Sequence, residues 1–264
     1  MDSINKCISS VDELVTVNDG ESYGNGLDHS TKVGGHLIQH STNKGVGVSK
    51  NHAIQYLLDK GCEHIFLIED DIIIKDKTVF DKYIDTARAT GLWHLMFGYH
   101  GPANKGNQSY GTPEPRLVIE YEDDVKVALN RHCVGAFCYY HKKLLDDVGL
   151  MDEAYVNAWE HLDHSYMLVK GGYIPAYWWW PDVANSYDYL GEIACSEENS
   201  SIRWEDANNN IPKKDWQENI QKGAQHFHNK HQFIPVTVPD TPTESIINIL
   251  KNISKKHKGD ICTI

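Results

Sequence analysis

Three consecutive carboxylates, Glu69-Asp70-Asp71, close the apolar run Ile65-Phe66-Leu67-Ile68, and the β-branched Ile72-Ile73-Ile74 follow them. Adjacent anions repel one another and lose solvation on partial burial, so something positive must offset them. A divalent cation that also holds phosphate oxygens does so, because hard cations take carboxylate and phosphate oxygens together. An acidic turn after a core strand, with no ligand, is the other reading of the same residues. A second cluster is Trp159-Glu160-His161-Leu162-Asp163-His164. On a helix, Glu160 and Asp163 are three apart and share a face. Its plain alternative is a solvated helix face capped by Glu160, His161 and His164.

The elements that must position these groups follow from periodicity. Ile65–Ile68 reads as a strand buried on both faces, with its acids at the carboxyl edge where open α/β sheets bind ligands. A short helix is expected over residues 3–13, a strand over 14–17 closed by Asn18-Asp19-Gly20, and a Gly/Ser/Asn-rich loop over 21–35. His36–His40 reads as a short strand, and the helix opened by Asn43–Asn51 ends at Gly61. Further expectations are a helix over Asp76–Gly91, a strand over Leu92–Tyr99 and a loop over His100–Pro115. Strands Leu117–Tyr121 and Val125–Asn130 are joined by an acidic turn, and Val134–Tyr140 is another buried strand. Helices follow at Lys142–Val148, across Asn157–Leu168 and at Glu244–Lys256, and residues 195–232 are less regular. Strands alternating with helices at this pitch imply βαβ units and a largely parallel sheet.

The 264 residues fit one large α/β domain with an appendage, divided as 1–195 (donor half about 1–75, acceptor half about 92–195) and 196–264. A formal charge of −12 argues against a nucleic-acid binder, which needs a basic face, but leaves room for a nucleotide. The six cysteines are scattered without a CxxC pair, which suits a reduced, cytoplasmic setting. No leader pattern and no apolar run long enough to span a bilayer is present in the sequence.

The order of segments resembles the family 2 glycosyltransferases of the GT-A fold over roughly residues 1–190. Asn18-Asp19-Gly20 resembles the Asp-Asp-Gly-Ser that ends their second strand, and Asn43–Asn51 their Asn-x-Gly…Arg-Asn helix start. Glu69-Asp70-Asp71 resembles their metal-binding Asp-x-Asp, and Val134–Phe137 through Gly149–Glu153 their acceptor-side strand, helix and turn. Trp159–Asp163 falls where they carry a Trp-x-x-Glu-Asp-like catalytic segment, with His161 where many have Asp. The resemblance implies a mostly parallel, Rossmann-like GT-A sheet flanked by helices. Members open on a strand that supplies half of the base pocket, whereas this sequence starts at what would be the next helix. The strand is then expected outside the sequence read, or the sheet to be completed differently.

The implied activity is metal-dependent, inverting transfer of a sugar from a nucleotide-sugar, expected to be a UDP-sugar, to a glycan or glycan-precursor hydroxyl. Mn2+ or Mg2+ would neutralise the departing diphosphate. Asp71 is the leading ligand, with Glu69 and Asp70 coordinating through water or holding the ribose. His164, Asp182, His226 and His228 are open alternatives for a further ligand. Asn18 and Asp19 would read the base, and Lys50, with Asn51 beside it, would pair with the diphosphate or an acidic neighbour, as a point charge in place of Arg. Glu160, Asp163 or His161 would take the acceptor proton. Trp159 and Trp180 are candidates to stack on acceptor sugar rings, with core packing the alternative for the Trp178–Trp180 run. Two rival readings are a nucleotidyltransferase and a non-catalytic glycan-binding domain.

Overall fold

The structure, a computed structural model, describes residues 7–20, 35–106, 111–192 and 213–258. The chain order is a 3₁₀ turn at Ile8–Ser10, then β1 (Val15–Asp19), β2 (His36–His40), α1 (Val46–Asp59), β3 (His64–Ile68), β4 (Ile72–Ile74), α2 (Val79–Thr90) and β5 (His94–Met96). It continues with β6 (Leu117–Glu120), β7 (Lys126–Asn130), β8 (Phe137–His141), α3 (Lys142–Val148), α4 (Glu160–Gly171), β9 (Trp180–Val183), α5 (Ser186–Tyr189), β10 (Leu190–Glu192), α6 (Lys213–His231) and α7 (Thr243–His257). The chain divides into two compact units. The first takes Met1–Cys62, Leu150–His164 and Ala194–Val238, and the second takes Glu63–Gly149, Ser165–Ile193 and Pro239–Ile264. The expected loop over 21–35 lies almost wholly outside the described residues, as do Cys195 and Cys262.

In the first unit β1 and β2 pair in parallel, from Val15 opposite His36 to Asp19 opposite His40, and α1 packs on β1. The buried stripe of α1 is Gly47, Lys50, Asn51, Ile54 and Leu57, the spacing of one helical face. Two polar residues in that stripe must find partners inside the fold. Glycine is required at the entry to α1: Gly45 has φ 98°, and a Cβ there would lie 2.7 Å from Val156 Cα.

In the second unit β8 is the centre of a three-stranded sheet, antiparallel to β3 on one side and to β5 on the other. Phe66 of β3 packs on Phe80 of α2 and Tyr139 of β8, with ring centroids 4.9 and 5.2 Å apart. β6, β7 and β9 form a second antiparallel sheet, and β4 pairs antiparallel with β10. α7 buries Ile246, Leu250, Ile253 and His257, and the His257 ring stacks on Tyr173.

The sheet architecture corrects the expectation of a mostly parallel, GT-A-type sheet. Among the described residues only β1–β2 is parallel, and every other pairing is antiparallel. Burial does not encode strand direction, and β3 in fact alternates: Ile65 and Leu67 are buried while Phe66 and Ile68 are half-buried. That alternation suits an antiparallel strand, whereas a parallel sheet covered by helices would bury the whole run. The helix expected over 3–13 is a single 3₁₀ turn where it is described. The less regular stretch contains the 19-residue α6.

Candidate functional site

The site is built on α1 and the start of α4, both within the first unit. Asn51 fastens the chain before α4: its amide donates to Met151 O at 2.9 Å and accepts from Met151 N at 2.9 Å. One turn into α1, Lys50 is 7 % exposed and donates to Glu160 Oε1 at 2.9 Å. Glu160, 2 % exposed, also meets His161 Nδ1 at 3.2 Å through the same oxygen. Burial opposes charge on Glu160, but Lys50 and His161 outweigh it and hold its carboxyl well below the usual range. A carboxylate so firmly ionised is a weak proton acceptor near neutrality. It is suited to orienting an imidazole: with Nδ1–H given to Glu160, His161 keeps Nε2 as the acceptor.

Trp159, just before this pair, is held at φ 80°, a strained conformation for a bulky residue. Its ring lies on α6, tilted against Phe227 at 5.6 Å, and Gly223 leaves it room, since a Cβ there would approach Trp159 Cδ1 to 2.7 Å.

Glu160 and Asp163 share α4 but belong to different networks. Asp163, 1 % exposed, accepts from Lys230 at 2.8 Å and from Tyr155 at 3.2 Å, and its Oδ1 is 2.6 Å from His231 Nε2. Lys230 also reaches Asp152 at 2.8 Å, and His226 Nε2 lies 2.9 Å from the same Asp152 oxygen. Burial works against Asp152's charge, but His226 and Lys230 hold its carboxyl well below the usual range. Sequence reasoning missed Tyr155, Lys230 and His231 as members of this set. For Lys230 and His231 the signal was the four-residue spacing of His226 with Lys230 and of Phe227 with His231, one helical face inside a polar stretch.

The parallel pair places Asn18 and Asp19 at its carboxyl edge. Asp19 accepts from the backbone N–H groups of Lys44 and Gly45 at 2.8 and 2.9 Å, and lies 2.7 Å from His40. His40 continues to His52 at 2.8 Å, while Asn18 donates to Gln39 at 2.9 Å. Asp19 thus ties the strand end to the opening of α1. His164 is buried in α4. His228 lies in the last turn of α6.

In the second unit the acid triplet forms the tight turn between β3 and β4. Glu69 is half-buried, Asp70 exposed and Asp71 only 3 % exposed. Asp71 Oδ2 lies 3.0 Å from His100 Nε2, which is 3.8 Å from Glu192; Glu192 also pairs with Lys105 and accepts from Gly101 N at 2.6 Å. Burial would lower the His100 pKa, but Asp71 and the neighbouring acids raise it. Among the described residues no three His, Cys, Asp or Glu side chains gather as a metal cage. A Mg2+- or Mn2+-borne phosphate does not need one, since such ions take one or two carboxylates and complete their shell with phosphate and water. Asp71 supplies one hard oxygen of that kind, with His100 Nε2 held against it at 3.0 Å.

Asp182 is fully buried and spoken for: Tyr83, Ser186 and the Gly98 and Val183 N–H groups all donate to it within 2.6–2.9 Å. Trp180 is 1 % exposed and packed edge-on to Tyr177, so it is a core residue in this conformation. No family model matches the chain, and no curated protein matches it.

Proposed function

We propose that the chain is a metal-dependent glycosyltransferase, moving a sugar from a nucleotide-sugar, expected to be a UDP-sugar, to a hydroxyl of a glycan or glycan precursor with inversion. The observation that carries this reading is the Lys50–Glu160–His161 relay, in which the ion pair is buried. Transfer with inversion needs a base for the acceptor hydroxyl on the face opposite the leaving group. Glu160, kept ionised by Lys50, orients His161 and stabilises the imidazolium formed as His161 Nε2 takes the hydroxyl proton. His161 is the exposed member, with 29 % of its side chain accessible against 3 % for Glu160. The other need is a sink for charge growing on the departing diphosphate. A divalent cation held by Asp71, with His100 beside it, supplies that sink when bound. The ordered likeness of segments to family 2 glycosyltransferases supports the same chemistry, although the sheet is not of their type.

The test is UDP release from a panel of UDP-sugars with a glycan acceptor, with and without Mn2+. Wild type should release UDP only with the metal, His161→Asn should lower kcat by about 10²–10⁴-fold, the range of general-base catalysis, and Asp71→Ala should abolish metal-dependent release. Retention of full activity by His161→Asn sinks the base assignment. Acceptor binding without release from any donor favours the glycan-binding alternative.

A further inference from the structure

A groove of about 640 Å³ lies between β6 and α7, within the second unit, and none of its lining residues belongs to the proposed transfer site. Its volume falls in the range of small-molecule sites. Ile119, Ile247 and Leu250 give it apolar walls, and Tyr121 stands among them. Among the described residues the Tyr121 hydroxyl is buried without a hydrogen-bond partner, an expensive arrangement unless a ligand oxygen completes it. Burial pushes the Tyr121 pKa up to about 12, so the group stays a neutral donor.

The groove's charge is uneven. Its two acids are already paired, Glu120 with Lys126 at 3.4 Å and Glu122 with Lys258 at 3.0 Å. Lys251 and Lys255 line the groove one helical turn apart, both exposed, and neither forms an ion pair among the described residues. Like charges at that spacing weaken a helix slightly, so their stacking brings no gain to the fold itself. In a protein of net charge −12, this is a local positive edge beside an apolar slot. The two ammonium groups are donors only and the phenol adds an O–H beside them, a set that suits a dianion better than a sugar, whose hydroxyls need acceptors as well as donors.

We propose that this groove binds a phosphate monoester borne on a single apolar chain, the chain along Ile119, Ile247 and Leu250 and the phosphate at Lys251 and Lys255. The site is independent of the transfer reaction and stands or falls apart from it.

Titration calorimetry of the full chain with octyl phosphate, below its micelle concentration, tests the site against inorganic phosphate and octanol. Octyl phosphate should bind at least about tenfold more tightly than either alone, which is the mark of joint recognition of head and chain. The Lys251→Glu/Lys255→Glu variant, altered only at exposed positions, should keep the wild-type Tm and lose at least about tenfold in octyl phosphate affinity. Added NaCl should weaken wild-type binding as expected for an exposed charge contact. Absence of binding overturns the proposal. Inorganic phosphate binding equally well would reduce the site to a simple anion contact, and equal binding of octanol, or salt-insensitive binding, would reduce it to apolar adhesion.

Discussion

Removing one member of the Lys50–Glu160 pair should cost far more than removing both. Lys50 and Glu160 are 7 % and 2 % exposed, and their 2.9 Å contact shares one Glu160 oxygen with His161. Glu160→Gln sets the buried Lys50 ammonium against a neutral amide, and Lys50→Met leaves the buried Glu160 carboxylate, among the described residues, with His161 to answer it. Breaking such a pair from one side costs about 3–5 kcal/mol, whereas replacing both partners with groups of similar volume is often close to neutral. Each single variant should therefore lose about 3–5 kcal/mol, and Lys50→Met/Glu160→Gln no more than about 2 kcal/mol, a coupling of several kcal/mol. For a chain of this length each kcal/mol lowers Tm by about 2–4 °C, so the singles should melt about 10 °C early. Urea unfolding of the four proteins at pH 7 measures the cycle. The pH dependence adds a check. Because the Glu160 pKa is depressed when folded, its contribution is complete above the ordinary glutamate value of 4.5 and is lost as pH falls below it. Additive single costs, or singles within about 1 kcal/mol of wild type, would refute a desolvated, mutually dependent pair.

Asp182 should show the opposite pH sense, because burial pushes its carboxyl up from 3.8 to about 7 despite four donors. Its contribution is complete below about pH 4 and declines as pH rises to about 7, by at most about 4 kcal/mol at 1.4 kcal/mol per pH unit. The stability gap between wild type and Asp182→Asn, followed by urea midpoints against pH, should narrow across that window. Gly45→Ala should cost more than about 2 kcal/mol, since left-handed strain and a 2.7 Å approach to Val156 combine there. Gly149→Ala, at φ 88° in open space, should cost only about 1 kcal/mol in the same denaturation assay. Lys230→Met removes an ammonium that serves both Asp152 and Asp163, and should cost about 2–4 kcal/mol, with Asp163 left to Tyr155 and His231.

Local structure was legible in the sequence wherever periodicity and punctuation agreed. α3 falls on Lys142–Val148 as its pattern required, α1 ends just before Gly61, and the acidic turn Glu122–Asp124 joins two paired strands. Sheet direction was not legible, because Ile65–Leu67 offers the same apolar surface to a neighbour running either way. Only the partner decides, and β8 arrives antiparallel. α6 escaped notice because its apolar side is sparse. Phe227 is fully buried, but much of the packing side is occupied by His226, Lys230 and His231, which reach acids with their polar atoms. A helix held by ion pairs gives a weak hydrophobic pattern. The candidate site was half legible for the same reason. Glu160, Asp163 and Lys50 are visible as charged residues at helix spacing, yet the sequence cannot say which carboxylate Lys50 meets.

That choice separates the two carboxylates chemically. Glu160 and Asp163 stand on one helix three residues apart, but α1 gives Glu160 a cation and leaves its neighbour His161 outward, while Asp163 is enclosed by Tyr155, Lys230 and His231. On the proposed reading the proton passes to His161, and neither carboxylate accepts it. Replacing His161 with Asp makes the distinction measurable. The new carboxylate would sit beside the ionised Glu160, whose charge raises its proton affinity, so it could still act as a base, though less well oriented. His161→Asp should keep more activity than His161→Asn and should move the acid limb of the kcat/KM profile down by more than about one pH unit, since carboxylates ordinarily titrate about two units below imidazole. If instead the limb stays in place in His161→Asp, the group that it reports lies elsewhere in the protein, and the relay from Lys50 through Glu160 serves the fold alone.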